Sequence, residues 1–105
     1  MSTLSTHVLD TSLGKPAAAI RVTLLRGAEV IGEATTDADG RAKDLAGTME
    51  AGEYSLRFEV LPYFRATGRE GFYRVITIDF VIRADEHYHV PLLLNPFGYS
   101  TYRGS

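Results

Sequence analysis

An all-β chain, folded as a sandwich of two sheets with about eight short strands and one short helix, is the fold this sequence predicts. Three observations carry it. The dominant hydrophobic period is two. In Tyr54-Ser55-Leu56-Arg57-Phe58-Glu59-Val60, Tyr54, Leu56, Phe58 and Val60 fall on a core face, and Ser55, Arg57 and Glu59 face out. Such runs are short and are separated by turn residues. The length, 105 residues, is that of one domain, 1–105. A domain of this size buries roughly two-thirds of the surface its unfolded chain exposes, enough for one core but not for a deep private cleft.

The elements follow in order. Leu4, Thr6 and Val8 alternate with Ser5, His7 and Leu9 in a first strand, and Gly14-Lys15-Pro16 breaks the chain after it. Ile20–Arg26 and Glu29–Thr35 are two strand-like runs joined across Gly27-Ala28, a hairpin signal. Asp37-Ala38-Asp39-Gly40 is a tight turn, with Gly40 free to take a positive φ. It begins as a calcium loop does but lacks the later ligands and the distal Glu, so the turn is the reading adopted. Gly47 and Gly52 mark further breaks before the Tyr54–Val60 strand. Leu61 to Gly68, with Pro62 near its start and Gly68 at its end, predicts the short helix. Val75 to Ile82 puts Ile76, Ile78, Phe80 and Ile82 on one face and Thr77 and Asp79 on the other. Finally Tyr88, Val90, Leu92 and Leu94 alternate with His87, His89, Pro91 and Leu93.

Composition excludes several classes of function. The net charge is -2 with no basic run, so no nucleic acid is expected as a partner. The chain has no cysteine, which removes disulfides, thiolate metal sites and a Cys nucleophile, and fits a reducing compartment. The N-terminus leads straight into a strand, with no apolar run behind a basic head, so no signal peptide is expected. Nor does any stretch approach the ~20 apolar residues of a membrane helix. Arg103-Gly104-Ser105 is not a peroxisomal address. A cytoplasmic protein is expected. Neither a Gly-x-Ser-x-Gly elbow nor a P-loop is present.

Two strands depart from the half-buried rule. If Leu4, Thr6 and Val8, and Tyr88, Val90, Leu92 and Leu94, face the core, the outward faces combine His7 with Leu9 and His89 with Leu93. Mixed apolar and ionisable faces suit a subunit interface or a binding groove better than open solvent. A lone surface histidine is usually structural, but two on equivalent outward faces weaken that reading, and His trades protons near neutral pH. His87 and His89 share one strand face and could begin a zinc site with His7 as third ligand. Nothing in the sequence fixes His7 beside them, and no metal is expected.

The segment Leu4-Ser5-Thr6-His7-Val8-Leu9-Asp10 with Gly14-Lys15-Pro16-Ala17, then Thr36-Asp37-Ala38-Asp39-Gly40-Arg41, then His87-Tyr88-His89-Val90-Pro91-Leu92-Leu93, resembles the transthyretin-related family. The closing Tyr102-Arg103-Gly104-Ser105 resembles the mark of its 5-hydroxyisourate hydrolase branch. The resemblance spans essentially the whole chain. Asn95 and Phe97, in the last turn, depart from the pattern outside any expected site. The resemblance implies a transthyretin-like (prealbumin-like) sandwich, paired edge to edge into dimers. Two dimers would meet face to face as a homotetramer with active sites in the channel between them. It also implies hydrolysis of 5-hydroxyisourate to 2-oxo-4-hydroxy-4-carboxy-5-ureidoimidazoline in urate (purine) catabolism, with no cofactor. His7, Arg41 and His89 would be catalytic, and His7, Arg41, Tyr102 and Ser105 would bind substrate, with Arg103 a local support. Ser100, Tyr102 and Gly104 would alternate onto the same channel face.

That chemistry suits the residue types. Opening a cyclic amide needs a positioned water, a base and a stabiliser for the tetrahedral oxyanion. One neutral His can take the proton while a second orients water or protonates the leaving nitrogen; the sequence leaves open which does which. Arg41 offers a planar charged fork for ring oxygens, and Tyr102 a hydroxyl on an aromatic ring. A transthyretin-like carrier of small molecules and an adhesive immunoglobulin-like domain are the alternatives. Neither calls for this polar set.

Overall fold

The structure is a computed structural model and describes residues 1–104. It contains nine strands and one helix among those residues: β1 (Thr3–Asp10), β2 (Lys15–Pro16), β3 (Arg21–Arg26), β4 (Glu29–Thr35), β5 (Arg41–Ala42), β6 (Gly52–Glu59), α1 (Leu61–Ala66), β7 (Val75–Ile82), β8 (His87–Asn95) and β9 (Gly98–Thr101). One sheet has the order β4-β3-β6-β7, antiparallel throughout. The other has the order β2-β1-β8-β9, with β5 also pairing with β1.

The period-two pattern fixes the faces. Leu4 and Val8 of β1 and Leu92 and Leu94 of β8 are buried in one cluster with Val22, Leu24, Leu56, Phe58 and Ile76 of the other sheet. Full burial of such a side chain is worth ~1.5–3 kcal/mol. A one-residue slip in register would turn it to the opposite face, so this cluster holds the register. The hairpin turns at Gly27, whose φ of 61° suits glycine.

The helix is shorter than the expected span to Gly68. It ends at Ala66, and Gly68, at φ 71°, closes it. The Gly68 N–H donates to Arg65 O and the Arg69 N–H to Phe64 O, the paired bonds of a Schellman cap.

The β1–β8 pair is parallel, and it decides what the outward face of this sheet carries. Its register sets Thr3 beside His87, Ser5 beside His89 and Leu9 beside Leu93. Pro91 stands opposite His7, in the row of His89 and Leu93, yet it is buried. It also explains why β9 stops at Thr101 instead of running on to Gly104. The residue opposite Pro91 meets no N–H, because proline has none to give the ladder. The Thr101 hydroxyl donates to Pro91 O instead (2.7 Å), and pairing resumes only where the Gly104 N–H donates to His89 O (2.8 Å).

At the far end of β1, Asp10 is fully buried. Its carboxylate accepts bonds from the Tyr63 hydroxyl (2.7 Å), Arg69 Nη2 (2.6 Å), the Ser12 hydroxyl (2.8 Å) and the Ser12 and Leu13 N–H groups. Burial alone would push its pKa up. The bonds from Arg69, Tyr63, Ser12 and Leu13 outweigh burial and hold it far below the usual carboxylate range. This ion pair staples β1 to α1 and its following turn. No helix of the structure is long and apolar enough to cross a membrane.

Candidate active site

Residues directly opposite each other on paired strands share a face. His7 is opposite Arg41, Ser5 opposite His89, and His89 opposite Gly104. The structure therefore brings His7, Arg41 and His89, from three strands, onto one outward face, with Leu9, Leu93 and Ser100 in the neighbouring rows.

Each of the three is held differently. His7 Nε2 lies 2.9 Å from the Asp39 carbonyl oxygen. A carbonyl only accepts, so Nε2 carries the proton it donates, and Nδ1 is an acceptor whenever the ring is neutral. The Asp37–Gly40 turn presents that carbonyl. Asp37 Oδ1 accepts from the Asp39 N–H (2.9 Å) and the Arg41 N–H (3.0 Å). Gly40 sits at φ 74°, where a Cβ would fall 2.4 Å from Val8 O, so no other residue fits. The same turn starts β5 and so places Arg41. Among the described residues, no hydrogen bond or ion pair takes up the Arg41 guanidinium, and the side chain is exposed.

His89 is half-buried and clamped from both sides. Its Nδ1 lies 2.8 Å from Ser5 Oγ. On the other side Gly104 passes so close that a Cβ there would stand 2.6 Å from His89 Cδ2. Burial lowers the His89 pKa, and the nearby charges of His7, Arg41 and His87 lower it further, with Ser5 opposing. The ring is thus kept neutral, the form in which a histidine can act as a base.

His87 is exposed, and both its nitrogens are engaged by hydroxyls: Nδ1 by Thr3 Oγ1 (2.7 Å) and Nε2 by Ser5 Oγ (2.8 Å). No group of three histidines or carboxylates converges in a metal-binding arrangement among the described residues. Tyr102 lies just past β9, over half exposed, on the course to the Gly104–His89 bridge. The Arg103 guanidinium turns away from this face, pairing with Glu86 and lying 4.5 Å above the Tyr88 ring. Ser105 lies outside the described residues.

A cavity of about 350 Å³ lies elsewhere. It opens between the sheets and is lined by Ile78, Phe80, Tyr88, Val90 and Tyr102 among others, but by neither histidine of the pair nor Arg41. Its apolar walls suit packing. The acid–base groups are on the open face, and they make that face the candidate site. Ser5, Thr3 and Asp39 were not singled out by sequence reasoning. Their roles depend on the parallel register of β1 and β8 and on the shape of one turn, which no spacing along the chain reveals.

Comparison with known proteins agrees with this geometry. The profile of the HIUase/Transthyretin family matches residues 4–104. A 5-hydroxyisourate hydrolase of Caulobacter vibrioides is 45% identical over 100% of both chains. The solved structure of Klebsiella pneumoniae 5-hydroxyisourate hydrolase superposes with a TM-score of 0.94 at 45% identity, covering 100% of both chains. A transthyretin from Sparus aurata superposes with a TM-score of 0.90 at 27% identity, covering 96% of this chain and 95% of its own. The chain belongs to the HIUase/Transthyretin family.

Proposed function

We propose that this chain, as one domain over residues 1–105, is a hydrolase that opens the ring of 5-hydroxyisourate with water, a step of urate breakdown. The observation that carries the reading is the convergence on one face of two imidazoles and a guanidinium; among the described residues the guanidinium has no partner, and each imidazole has one nitrogen engaged and one available. Two relatives that match the whole chain at 45% identity are named 5-hydroxyisourate hydrolase. A small-molecule carrier would have no use for two oriented imidazoles.

In this reading His89 Nε2 takes a proton from a water that attacks the ring carbonyl. The Arg41 fork holds ring oxygens and stabilises the charge of the tetrahedral oxyanion. His7 Nδ1 orients the water when the ring is neutral, or protonates the leaving nitrogen when the ring is charged. Tyr102 and Ser105 complete the substrate-binding set, Tyr102 through its hydroxyl and ring.

The face is open on a single chain. Leu9 and Leu93 flank the histidines there, and β9 presents an unpaired sheet edge. These features support a homotetramer, a dimer of dimers, in which edges pair and two such faces close over the substrate. The direct test is to generate 5-hydroxyisourate with a urate oxidase and follow the decay of its ultraviolet band with and without the protein. Decay well above the spontaneous rate is expected. An unchanged rate contradicts the proposal.

A further inference from the structure

One nitrogen of His87 and one of His89 meet the same hydroxyl, that of Ser5, and the other nitrogen of His87 meets Thr3. Thr3 Oγ1 is 2.7 Å from His87 Nδ1, His87 Nε2 is 2.8 Å from Ser5 Oγ, and Ser5 Oγ is 2.8 Å from His89 Nδ1. The chain starts at the half-buried His89 and ends at the exposed His87. We propose that Ser5 is a positioning residue for His89, and that Ser5 and His87 form a proton conduit from His89 Nδ1 to the surface.

The register makes the chain possible. Thr3 pairs with His87 and Ser5 with His89, so two hydroxyls and two imidazoles alternate along one face of two parallel strands. A hydroxyl has one proton to give, so Ser5 cannot donate to both rings. In the proposed conduit it accepts from one and donates to the other. The direction of the Ser5 O–H therefore couples the tautomer of His89 to that of His87, and the tautomer decides whether His89 Nε2 is a base or an acid.

The transfer balances. In the resting state His89 Nδ1–H donates to Ser5, Ser5 O–H to His87 Nε2, and His87 Nδ1–H to Thr3. As His89 Nε2 gains the proton of the attacking water, the Nδ1 proton passes to Ser5 Oγ. The Ser5 proton moves to His87 Nε2. The His87 Nδ1 proton moves to Thr3, which hands its own proton to bulk water. One proton enters and one leaves, with no change of oxidation state, and His89 keeps no net charge. His89 then gives its Nε2 proton to the leaving nitrogen and the relay runs back; without the conduit, the ring would be positive beside Arg41 until that step.

The inference rests on His89 taking the water proton, so the test includes His89→Ala. Full-length Ser5→Ala, Ser5→Thr, His87→Ala and His89→Ala are assayed on freshly made 5-hydroxyisourate in dilute buffer free of imidazole. Ser5→Ala should lose roughly ten- to a hundredfold in kcat, the usual cost of removing the partner that orients a functional histidine, with KM little changed. Ser5→Thr, which keeps the hydroxyl, should retain most of the activity. His87→Ala should lose kcat, and added imidazole should restore it by carrying the proton from solvent. An inactive His89→Ala beside a fully active Ser5→Ala overturns the positioning role and leaves the site reading intact. Wild-type kcat in His87→Ala in dilute buffer, or a loss that imidazole does not restore, overturns the conduit. A fully active His89→Ala overturns the site reading itself, and this inference with it.

Discussion

At Gly104 one missing methyl group sets the position of the His89 ring. A Cβ there would lie 2.6 Å from His89 Cδ2, below any real carbon–carbon contact, so Gly104→Ala must push the imidazole aside. Turnover should fall by at least tenfold, on the scale of misplacing a proton-transfer group, while the far-ultraviolet circular dichroism stays native. A folded Gly104→Ala protein with full activity would show that the ring position is unimportant. Arg41 separates charge from shape. Its charge helps lower the His89 pKa, and a base must be neutral to work. The acid limb of the kcat profile should therefore lie below the ordinary histidine value of about 6.5. Arg41→Gln should move that limb to higher pH, because the pKa of His89 rises once the neighbouring charge is gone. Arg41→Lys keeps the charge and should leave the limb in place while losing most of the turnover with the fork. A limb that stays put in Arg41→Gln would remove Arg41 from the neighbourhood of the base. His7 and His89 could be picked out from residue type and pattern, and Arg41 only from the resemblance to the family. The clamp of Ser5 and Gly104 could not, since it is made by backbone proximity across strands.

Within the secondary-structure elements, alternation was readable wherever one strand face meets solvent. Tyr54–Val60 and Val75–Ile82 form as their patterns indicate, with Ile78 and Phe80 only partly buried near the sandwich edge. Less legible was the fate of single residues with special chemistry. Pro91 lies within a strand whose pattern is otherwise regular, and its missing N–H breaks the β8–β9 ladder. Asp10 ends β1 where a polar residue would ordinarily reach water, yet it is buried against an arginine distant in sequence. Removing that arginine leaves a buried carboxylate short of its counter-charge, so Arg69→Met should cost about 3 kcal/mol, seen as a fall of more than about 10 °C in Tm. Asp10 has a lower pKa folded than unfolded, so its contribution is complete above about pH 4 and fades as the pH falls below that. The native protein should lose stability there more steeply than Arg69→Met. An unchanged Tm in the variant would mean that the staple contributes nothing.

For the whole molecule, the two-sheet sandwich followed from period and turns, but the strand order did not. The parallel meeting of β1 and β8 joins the two ends of the chain, and no local signal announces it. The same sheet leaves the face of His7 and His89 open. Burying Leu9 and Leu93 in a partner contact is favourable at ~25 cal/mol per Å². Light scattering at micromolar concentration should give four times the 11.6 kDa chain mass. A stable monomer with full activity would refute the shared channel. The central claim, that His7 and His89 together perform the hydrolysis, is tested most directly by turnover of freshly made 5-hydroxyisourate by His7→Ala, His89→Ala and the double variant, each checked for folding by circular dichroism. Each single variant should lose ~10²–10⁴-fold, and the double variant less than the product of the two, because groups acting as a unit are not additive. Folded single variants that both keep full activity would contradict the account.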